Sequence, residues 1–398
     1  FKDMALQMLP YLLTASLAKT GEKKTVCILV ATSGDTGKAA LEGFRDVPQS
    51  EILVFYPEDG VSPMQKRQMI TQEGENVAVC AVRGNFDDAQ TGVKRIFGDS
   101  ALAARAESEG FFFSSANSIN WGRLAPQIVY YISAYCDLLK ENEIFPGDVV
   151  NVCVPTGNFG NILAAWYAKQ MGAPIERLIC ASNENRVLTD FINTGTYDIS
   201  ERTFVKTPSP SMDILVSSNL ERQLFELTGR DARAIAGWMA DLKESRRFKV
   251  DRDTFGKMRE LYAADSVNNA ECLATIREVF EQCGCLMDPH TAVAHRVAQN
   301  LREDGVPVVV ASTAHWAKFG NNVYRALHGI ALDEALPADV AALTGCELNR
   351  LIAEETGASH IPAGLAELDD LPILFTEVID GTADAIRDAV CAFLGARK

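Results

Sequence analysis

The stretch Cys153–Leu163, CVPTGNFGNIL, decides the fold of this chain. A predicted strand ends at Val154, glycines and asparagines fill the loop 155–160, and a helical pattern begins at about Asn161. In a strand–loop–helix unit, glycines let the backbone approach a ligand, and free N–H groups at the helix start favour an anion. The spacing is neither GxGxxG nor GxxxxGK[ST], which argues against a dinucleotide site and a P-loop. A plain turn capped by asparagine is the alternative.

Apolar β-branched runs and helical patterns alternate on both sides of this stretch. The predicted strands are 25–31, 51–56, 76–82, 111–115, 148–154, 177–182 and 306–312. The predicted helices are 36–46, 63–73, 87–97, 121–142, 160–171, 184–193, 219–228, 254–263, 268–282 and 290–303. This alternation predicts an α/β fold with mostly parallel sheet. Residues 194–212 form an ordered excursion or a lid, and the polar helical pattern after them predicts a surface helix.

The composition is typical of a soluble globular protein of about two or three domains. The 398 residues are 47% hydrophobic and 23% charged, without an apolar run long enough to span a bilayer. A net charge of −15 disfavours nucleic acid and anionic membranes as partners, so an anionic substrate needs a local cationic pocket. Ten scattered cysteines without a CxxC pair, and no secretory leader, favour a reducing cytoplasm.

Three further stretches place polar side chains where an apolar strand gives way to a helix. They are VATSGDTGKAA (30–40), SSANSINWGRLAPQ (114–127) and VVVASTAHWAKFGNN (308–322). In open α/β sheets ligands lie at such strand ends, and groups at a helix start bind carboxylates or phosphates. Ordinary capping is the alternative in each case, by Asp35 or Thr36, by Asn117 and Asn120, or beside a surface Lys318.

Neither a metal signature nor a hydrolase signature accompanies these loops. The five histidines lack metal-ligand spacing, and neither GxSxG nor HExxH occurs. Lys2 is the remaining candidate nucleophile, because a deprotonated lysine amine forms a Schiff base with an aldehyde. On its own, Lys2 would be read as a surface lysine.

Taken together, these stretches resemble threonine synthase, a family of fold type II enzymes that use pyridoxal phosphate. The similar segments are FKDMALQ (1–7), ATSGDTG (31–37), ANSINWGRLAPQ (116–127), PTGNFGN (155–161), DPHTAVA (288–294) and STAHWAKF (312–319). Their order and spacing match the family over nearly the whole chain. The resemblance implies a tryptophan synthase β-like fold with two open, twisted, mostly parallel sheets flanked by helices.

The resemblance also implies roles for individual residues. Lys2 would hold the cofactor aldehyde and then move protons, and Thr313, or its neighbour Ser312, would hydrogen-bond the pyridine nitrogen. The cofactor phosphate would be surrounded by Gly157, Asn158, Phe159, Gly160 and Asn161. The substrate would lie near Ser33, Asp35, Thr36 and Asn117, with Arg123 and Lys318 facing its phosphate.

The implied reaction converts O-phospho-L-homoserine and water to L-threonine and phosphate. The implied enzyme is cytoplasmic, is a monomer or homodimer, and binds no metal, nucleic acid or membrane. A phospholyase that releases 2-oxobutyrate, ammonia and phosphate would share these features. A truncated, non-catalytic relative is the alternative outside enzymes.

The resemblance implies a domain order as well. Residues 1–22 would begin a large cofactor-binding domain that resumes at 128–398, and residues 23–127 would form a smaller mobile domain. The family carries an N-terminal domain ahead of the Schiff-base lysine, and we expect this sequence to lack it. Trp316 stands where the family has proline, so the indole either narrows the pocket or packs outside it.

Overall fold

The computed structural model describes residues 2–32, 34–358 and 360–397, apart from the side chain of Asp87. The strands are β1 (Thr25–Ala31), β2 (Ser50–Pro57), β3 (Val77–Arg83), β4 (Phe111–Ser114), β5 (Val150–Pro155), β6 (Ile175–Ser182), β7 (Thr196–Asp198), β8 (Arg247–Lys249), β9 (Tyr262–Ser266), β10 (Val308–Val310) and β11 (Val378–Asp380). The α-helices are α1 (Lys2–Thr20), α2 (Asp35–Phe44), α3 (Pro63–Ile70), α4 (Phe86–Gly98), α5 (Ser100–Ser108), α6 (Trp121–Leu124), α7 (Ile128–Lys140), α8 (Gly160–Gln170), α9 (Val187–Thr194), α10 (Leu220–Leu227), α11 (Ala232–Ser245), α12 (Arg252–Leu261), α13 (Asn269–Cys283), α14 (Pro289–Leu301), α15 (Gly320–His328), α16 (Ala338–Ala341), α17 (Gly345–Thr356), α18 (Ala363–Ala366) and α19 (Ala383–Ala396). Short 3₁₀ helices cover Ala125–Gln127, Pro210–Met212, Trp316–Phe319 and Leu368–Asp370.

The chain forms two compact units. The first comprises Phe1–Arg123 and Ala342–Lys398, and the second comprises Leu124–Ala341. The helix α1 packs in the first unit against α2, where a Cβ on Gly43 would lie 2.1 Å from the carbonyl oxygen of Leu6. The units therefore divide the chain differently from the predicted domains 1–22, 23–127 and 128–398, and that domain assignment stays a prediction.

Within the described residues, the first unit is built on a five-stranded parallel sheet in the order β11-β3-β2-β1-β4. Its central strands are buried on both faces. In β1, Val26 and Ile28 belong to an apolar cluster with α1 and α2, whereas Cys27 and Leu29 belong to a cluster with α4 and α19. Burial on both faces explains why these strands read as continuous apolar runs.

The second unit carries a four-stranded parallel sheet in the order β10-β5-β6-β9 within the described residues. The strands β7 and β8 form a separate antiparallel pair. The apolar faces of α8 and α9 pack on the sheet in one large cluster. Two mostly parallel sheets covered by helices confirm the predicted fold class.

Several predicted boundaries are wrong, and several elements were not predicted. The predicted strand 306–312 is shorter, since β10 covers only Val308–Val310, and the predicted helix 121–142 is divided into α6, a 3₁₀ helix and α7. The predicted helix 254–263 ends at Leu261, because Tyr262 is extended and pairs with Leu178 as the first residue of β9. The phenol of Tyr262 is buried and donates a hydrogen bond to Gln223 Oε1 (2.9 Å). The predicted surface helix is α11, none of whose residues is buried. The unpredicted elements include β7, β8, β11, α5 and α16–α19.

Two further predictions concern the environment of the chain. No helix in the described part of the chain is both long and apolar enough to cross a membrane. The cysteines carry free thiols, and burial raises the pKa of several of them, including Cys80, whose pKa is raised to about 12.

Candidate functional site

In the first unit, Lys2 and Asp35 lie together. Lys2 opens α1, and its Nζ lies 3.6 Å from Oδ2 of Asp35, the first residue of α2. The Lys2 side chain is 25% exposed and the Asp35 side chain 8%, so the pair is only partly screened by solvent. A carboxylate this close favours the charged form of the amine.

The loop before α2 is organised by a threonine that the sequence reasoning missed. The hydroxyl of Thr32 accepts hydrogen bonds from the N–H groups of Gly34 and Gly37, both at 2.9 Å. The N-cap residue is Gly34, so neither Asp35 nor Thr36 caps the helix as the capping alternative required. The side chains of Asp35 and Thr36 instead contact Gln65 and Arg123, respectively. Ser33 lies outside the described residues.

Gln65 holds the carboxylate of Asp35 from the other side. Its Nε2 donates a hydrogen bond of 2.9 Å to Asp35 Oδ1. Its Oε1 accepts the N–H of Ser62 (3.0 Å) in the capping box that begins α3. Gly34 makes room for this side chain, because a Cβ at Gly34 would lie 2.4 Å from Gln65 Oε1.

Asn117 joins the ends of two neighbouring strands. Its Nδ2 donates to the carbonyl oxygen of Ala31 at the end of β1 (3.2 Å), and its Oδ1 accepts from Ser115 after β4 (3.1 Å). Asn120 bonds its own loop, by donating to the Ser115 carbonyl oxygen and accepting from the N–H of Gly122. The capping alternative therefore accounts for Asn120, whereas Asn117 lies at the strand ends near the 30–40 loop.

Arg123 is buried in the first unit. Its guanidinium donates to the carbonyl oxygen of Ala116 (3.0 Å) and to Oγ1 of Thr36 (3.2 Å). Burial lowers the pKa of Arg123 to about 10. These contacts position Thr36, and the predicted contact of Arg123 with a substrate phosphate stays a prediction.

In the second unit, the loop 155–160 connects β5 to α8. Phe159, the residue before α8, adopts the left-handed conformation (φ 62°), is buried, and packs against Tyr262 with ring centroids 5.6 Å apart. This conformation is uncommon for a non-glycine residue and persists because the buried ring holds it. Phe159 is the N-cap residue of α8 and offers no side-chain cap. The first N–H groups of α8 are therefore suited to an anionic ligand.

The glycine at 157 is required by packing within the protein. A Cβ at Gly157 would lie 2.8 Å from the carbonyl oxygen of Ser211 and 3.1 Å from Cα of Met212. The Gly157 carbonyl oxygen accepts a hydrogen bond of 2.8 Å from Oγ of Ser217. Residues 211–217 therefore form a rigid support for the loop 155–160.

The two asparagines of this stretch are oriented by neighbouring side chains. Asn158 Oδ1 accepts from Ser218 Oγ (3.2 Å), and its carbonyl oxygen accepts from Asn219 N (3.1 Å) and Nδ2 (3.0 Å). Asn161 Oδ1 accepts from the hydroxyl of Tyr131 on α7. Because the oxygen of Asn161 is occupied by this donor, its amide nitrogen is directed elsewhere.

A buried polar network anchors the excursion that follows β7. Asp213 accepts hydrogen bonds from the amides of Asn183 (2.8 Å) and Asn185 (3.0 Å), and from the hydroxyl of Thr207 (2.6 Å). Buried polar groups with this many partners specify one conformation. Of the two structures predicted for residues 194–212, the network favours the ordered excursion over the lid.

A buried histidine supports the same segment. His290 Nδ1 lies 2.7 Å from Asp288 Oδ1, and His290 Nε2 accepts the N–H of Ser211 (3.2 Å). Thr291 Oγ1 donates to Asp288 Oδ2 and lies within hydrogen-bonding distance of Ser312 Oγ (3.2 Å). This chain of contacts extends from residue 211 to Ser312, just beyond the end of β10.

The remaining predicted residues follow β10. Thr313 comes after Ser312, and Lys318 lies half-buried in the 3₁₀ helix Trp316–Phe319. Trp316 is buried, with its ring 5.4 Å from that of His315. β10 pairs in parallel with β5, so Thr313 and the loop 155–160 follow the carboxyl ends of neighbouring strands, where ligands bind in open α/β sheets.

The sequence patterns of two families match the chain. The family described as pyridoxal-phosphate dependent enzyme matches residues 1–313, and the one described as threonine synthase, C-terminal, matches residues 291–390. The threonine synthase of Pseudomonas aeruginosa is 42% identical over 344 residues, which cover 86% of this chain and 70% of that protein. The chain belongs to the threonine synthase family.

Other relatives support this membership. Threonine synthase-like 1 of Homo sapiens is 46% identical over 333 residues, which cover 82% of this chain and 44% of that protein. The chain thus spans less than half the length of this relative. The crystal structure of pyridoxal-phosphate-bound threonine synthase from Brucella melitensis matches 99% of this chain and 75% of its own, with 37% identity and a TM-score of 0.82.

The cofactor of this threonine synthase family member is pyridoxal phosphate, as predicted. The residues present fit that group on two counts. The start of α8, without a side-chain cap, offers the N–H donors that a phosphate needs. Lys2 supplies the amine that an aldehyde needs to form a Schiff base, and the carboxylate of Asp35 holds that amine in place.

Proposed function

We propose that this chain converts O-phospho-L-homoserine and water to L-threonine and phosphate. The observation that carries the proposal is the pairing of Lys2 with Asp35 in a chain that is 42% identical to the threonine synthase of Pseudomonas aeruginosa. The Lys2–Asp35 contact holds the lysine amine beside the loop before α2, and the identity supports the substrate class.

The proposed roles follow the position of each residue. Bound pyridoxal phosphate supplies an aldehyde that links to amines and withdraws electrons from the attached carbon. Lys2 would hold that aldehyde at rest and would then take protons from Cα and Cβ of the substrate as phosphate leaves Cγ. It would return a proton to Cγ and, after water adds at Cβ, a proton to Cα. The amide groups at the start of α8 would hold the cofactor phosphate, and Thr313 or Ser312 would hydrogen-bond the pyridine nitrogen.

The substrate residues belong to the first unit, apart from Lys318. Asn117 and the loop before α2 present N–H groups and hydroxyls to the substrate carboxylate. Arg123 positions Thr36 through its hydrogen bond of 3.2 Å. The cationic groups of Arg123 and Lys318 stabilise the departing phosphate as its charge develops.

Labelling tests the cofactor role of Lys2. Borohydride treatment of the cofactor-loaded protein should fix the label on Lys2, and Lys2→Ala should lose both the label and the visible absorbance. Lys19→Ala is the matched control, because Lys19 is an exposed lysine in the last turn of the same helix. A label on another lysine, or absorbance retained by Lys2→Ala, would contradict the assignment.

Product analysis tests the reaction. Incubation with O-phospho-L-homoserine should release threonine and phosphate in equal amounts, and neither should form with Lys2→Ala. The phospholyase alternative is favoured by the 46% identity to threonine synthase-like 1, a protein whose name differs from that of the synthases. Release of 2-oxobutyrate and ammonia in place of threonine would decide for that alternative.

A further inference from the structure

We propose that Gln65 is a positioning residue: its amide nitrogen holds the carboxylate of Asp35 beside the amine of Lys2. The inference rests on the proposed cofactor role of Lys2 and adds a residue to that site. Gln65 is 1% exposed and lies in α3, outside the four stretches of sequence that were predicted to bind ligands. Its role is visible only in the hydrogen bonds that its two amide atoms make.

The orientation of the Gln65 amide is determined by its surroundings. Oε1 accepts the N–H of Ser62 at 3.0 Å, which requires an oxygen at that position. Nε2 then faces Oδ1 of Asp35 at 2.9 Å, where only an acceptor makes a favourable partner. A capping box needs only the oxygen, so the contact with Asp35 is additional to the role of Gln65 in starting α3.

The carboxylate of Asp35 is consequently fixed at both oxygens. Oδ1 is held by Gln65, and Oδ2 lies 3.6 Å from Lys2 Nζ. Asp35 is also the first residue of α2, where the helix dipole favours a negative charge. Removing Gln65 takes away the hydrogen bond that holds Oδ1 of this carboxylate and so weakens its orientation towards Lys2.

A fixed anion beside Lys2 has a measurable chemical consequence. It stabilises the ammonium form of Lys2, whereas attack on an aldehyde requires the neutral amine. The ammonium first gives its proton to solvent, the nitrogen lone pair forms the C–N bond, and the aldehyde oxygen leaves as water. Weakening the Lys2–Asp35 contact should therefore accelerate this reaction near neutral pH, whereas general damage to the site would slow it.

The experiment measures the rate at which the cofactor-free chain bonds to added pyridoxal phosphate, across neutral and alkaline pH. The growing absorbance is followed, and borohydride with peptide mapping confirms that the bond is on Lys2. Asp35→Asn removes the anion 3.6 Å from the amine, so the rate near neutral pH should rise roughly tenfold. Gln65→Met should gain about threefold, since the carboxylate is displaced but retained.

Two comparisons separate positioning from packing. Gln68→Met is the matched control, because Gln68 lies on α3, is 8% exposed, and has no described hydrogen bond to Asp35; its rate should equal that of the wild type. The double variant should bond pyridoxal phosphate at the same rate as Asp35→Asn alone, because the effects of two substitutions that act through one contact are not additive. Equal acceleration by Gln65→Met in both backgrounds would overturn the proposal.

The remaining outcomes are also decisive. A folded Gln65→Met variant whose rate is unchanged or reduced would refute the positioning role. If thermal unfolding shows that this variant does not fold, Gln65→Glu replaces it, since a carboxylate oxygen still accepts the N–H of Ser62. The added charge should then slow the reaction several-fold, and an unchanged or faster rate would refute the proposal. A wild-type chain that never bonds at Lys2 would instead refute the proposed function.

Discussion

Gly157→Ala tests whether packing inside the second unit sets the shape of the loop 155–160. The added Cβ would lie 2.8 Å from the carbonyl oxygen of Ser211 and 3.1 Å from Cα of Met212. Both are backbone atoms, which cannot rotate out of the way, so either the loop or residues 211–212 must shift. Such overpacking typically costs about 1–3 kcal/mol.

We expect the free energy of unfolding to fall by this amount in urea titrations. If the loop takes up the shift, the N–H groups at the start of α8 move relative to the cofactor phosphate. The dissociation constant for pyridoxal phosphate should then rise about tenfold, since about 1.4 kcal/mol corresponds to a factor of ten. Absorbance titration of the cofactor-free protein measures this constant directly.

Gly237→Ala is the matched control, and its expected effect on the free energy of unfolding has the opposite sign. Gly237 lies inside the exposed helix α11, and a Cβ there would meet nothing within 4 Å. Alanine should stabilise this helix by about 0.5–1 kcal/mol and leave cofactor binding unchanged. The reasoning would be refuted if Gly157→Ala matched the wild type in both stability and cofactor affinity.

Three further predictions concern single side chains. Phe159→Ala should lower the free energy of unfolding by about 3–5 kcal/mol in urea, because a buried ring leaves a cavity; a loss below about 1 kcal/mol would contradict this. Tyr131→Phe removes the donor that orients Asn161, so cofactor affinity measured by absorbance should fall about fivefold, whereas an unchanged value would show that this amide is not used. Burial, reinforced by the neighbouring Arg296, lowers the pKa of His295 from its ordinary 6.5. As pH falls through 6.5, His295 therefore takes up a proton more readily in the unfolded chain than in the folded chain. Over that range, the free energy of unfolding of the wild type, measured in urea titrations, should fall relative to that of His295→Gln. Parallel curves for the two proteins would contradict the shift.

The sheets could be predicted because each central strand is buried on both faces. Residues 25–31 were predicted and found as β1, since a continuous apolar run bounded by polar loops has few other structures open to it. The three-residue strand β7 could not be found in this way, because its pairing with β8 joins distant residues such as Tyr197 and Phe248. The strand β11 was missed for the same reason.

Most residues of the candidate site could be proposed from the sequence because they occupy strand-to-helix loops. Asp35 and Asn117 were proposed from that position; in the structure Asp35 begins α2, and Asn117 donates to the carbonyl oxygen at the end of β1. Gln65 and Thr32 were not identified. Gln65 lies within an ordinary helical pattern, and only the three-dimensional approach of α3 to α2 brings its amide to Asp35. Thr32 acts on backbone N–H groups, which no side-chain pattern reveals.

The strand β11 has a consequence for synthesis of the chain. It pairs with β3 across nearly three hundred residues, and the second unit lies entirely within that interval. On the ribosome, residues 124–341 therefore emerge complete while the sheet of the first unit still lacks its edge strand. The second unit should become protease-resistant during translation, whereas the first must wait, with β3 at an open edge, until residues 378–380 are made.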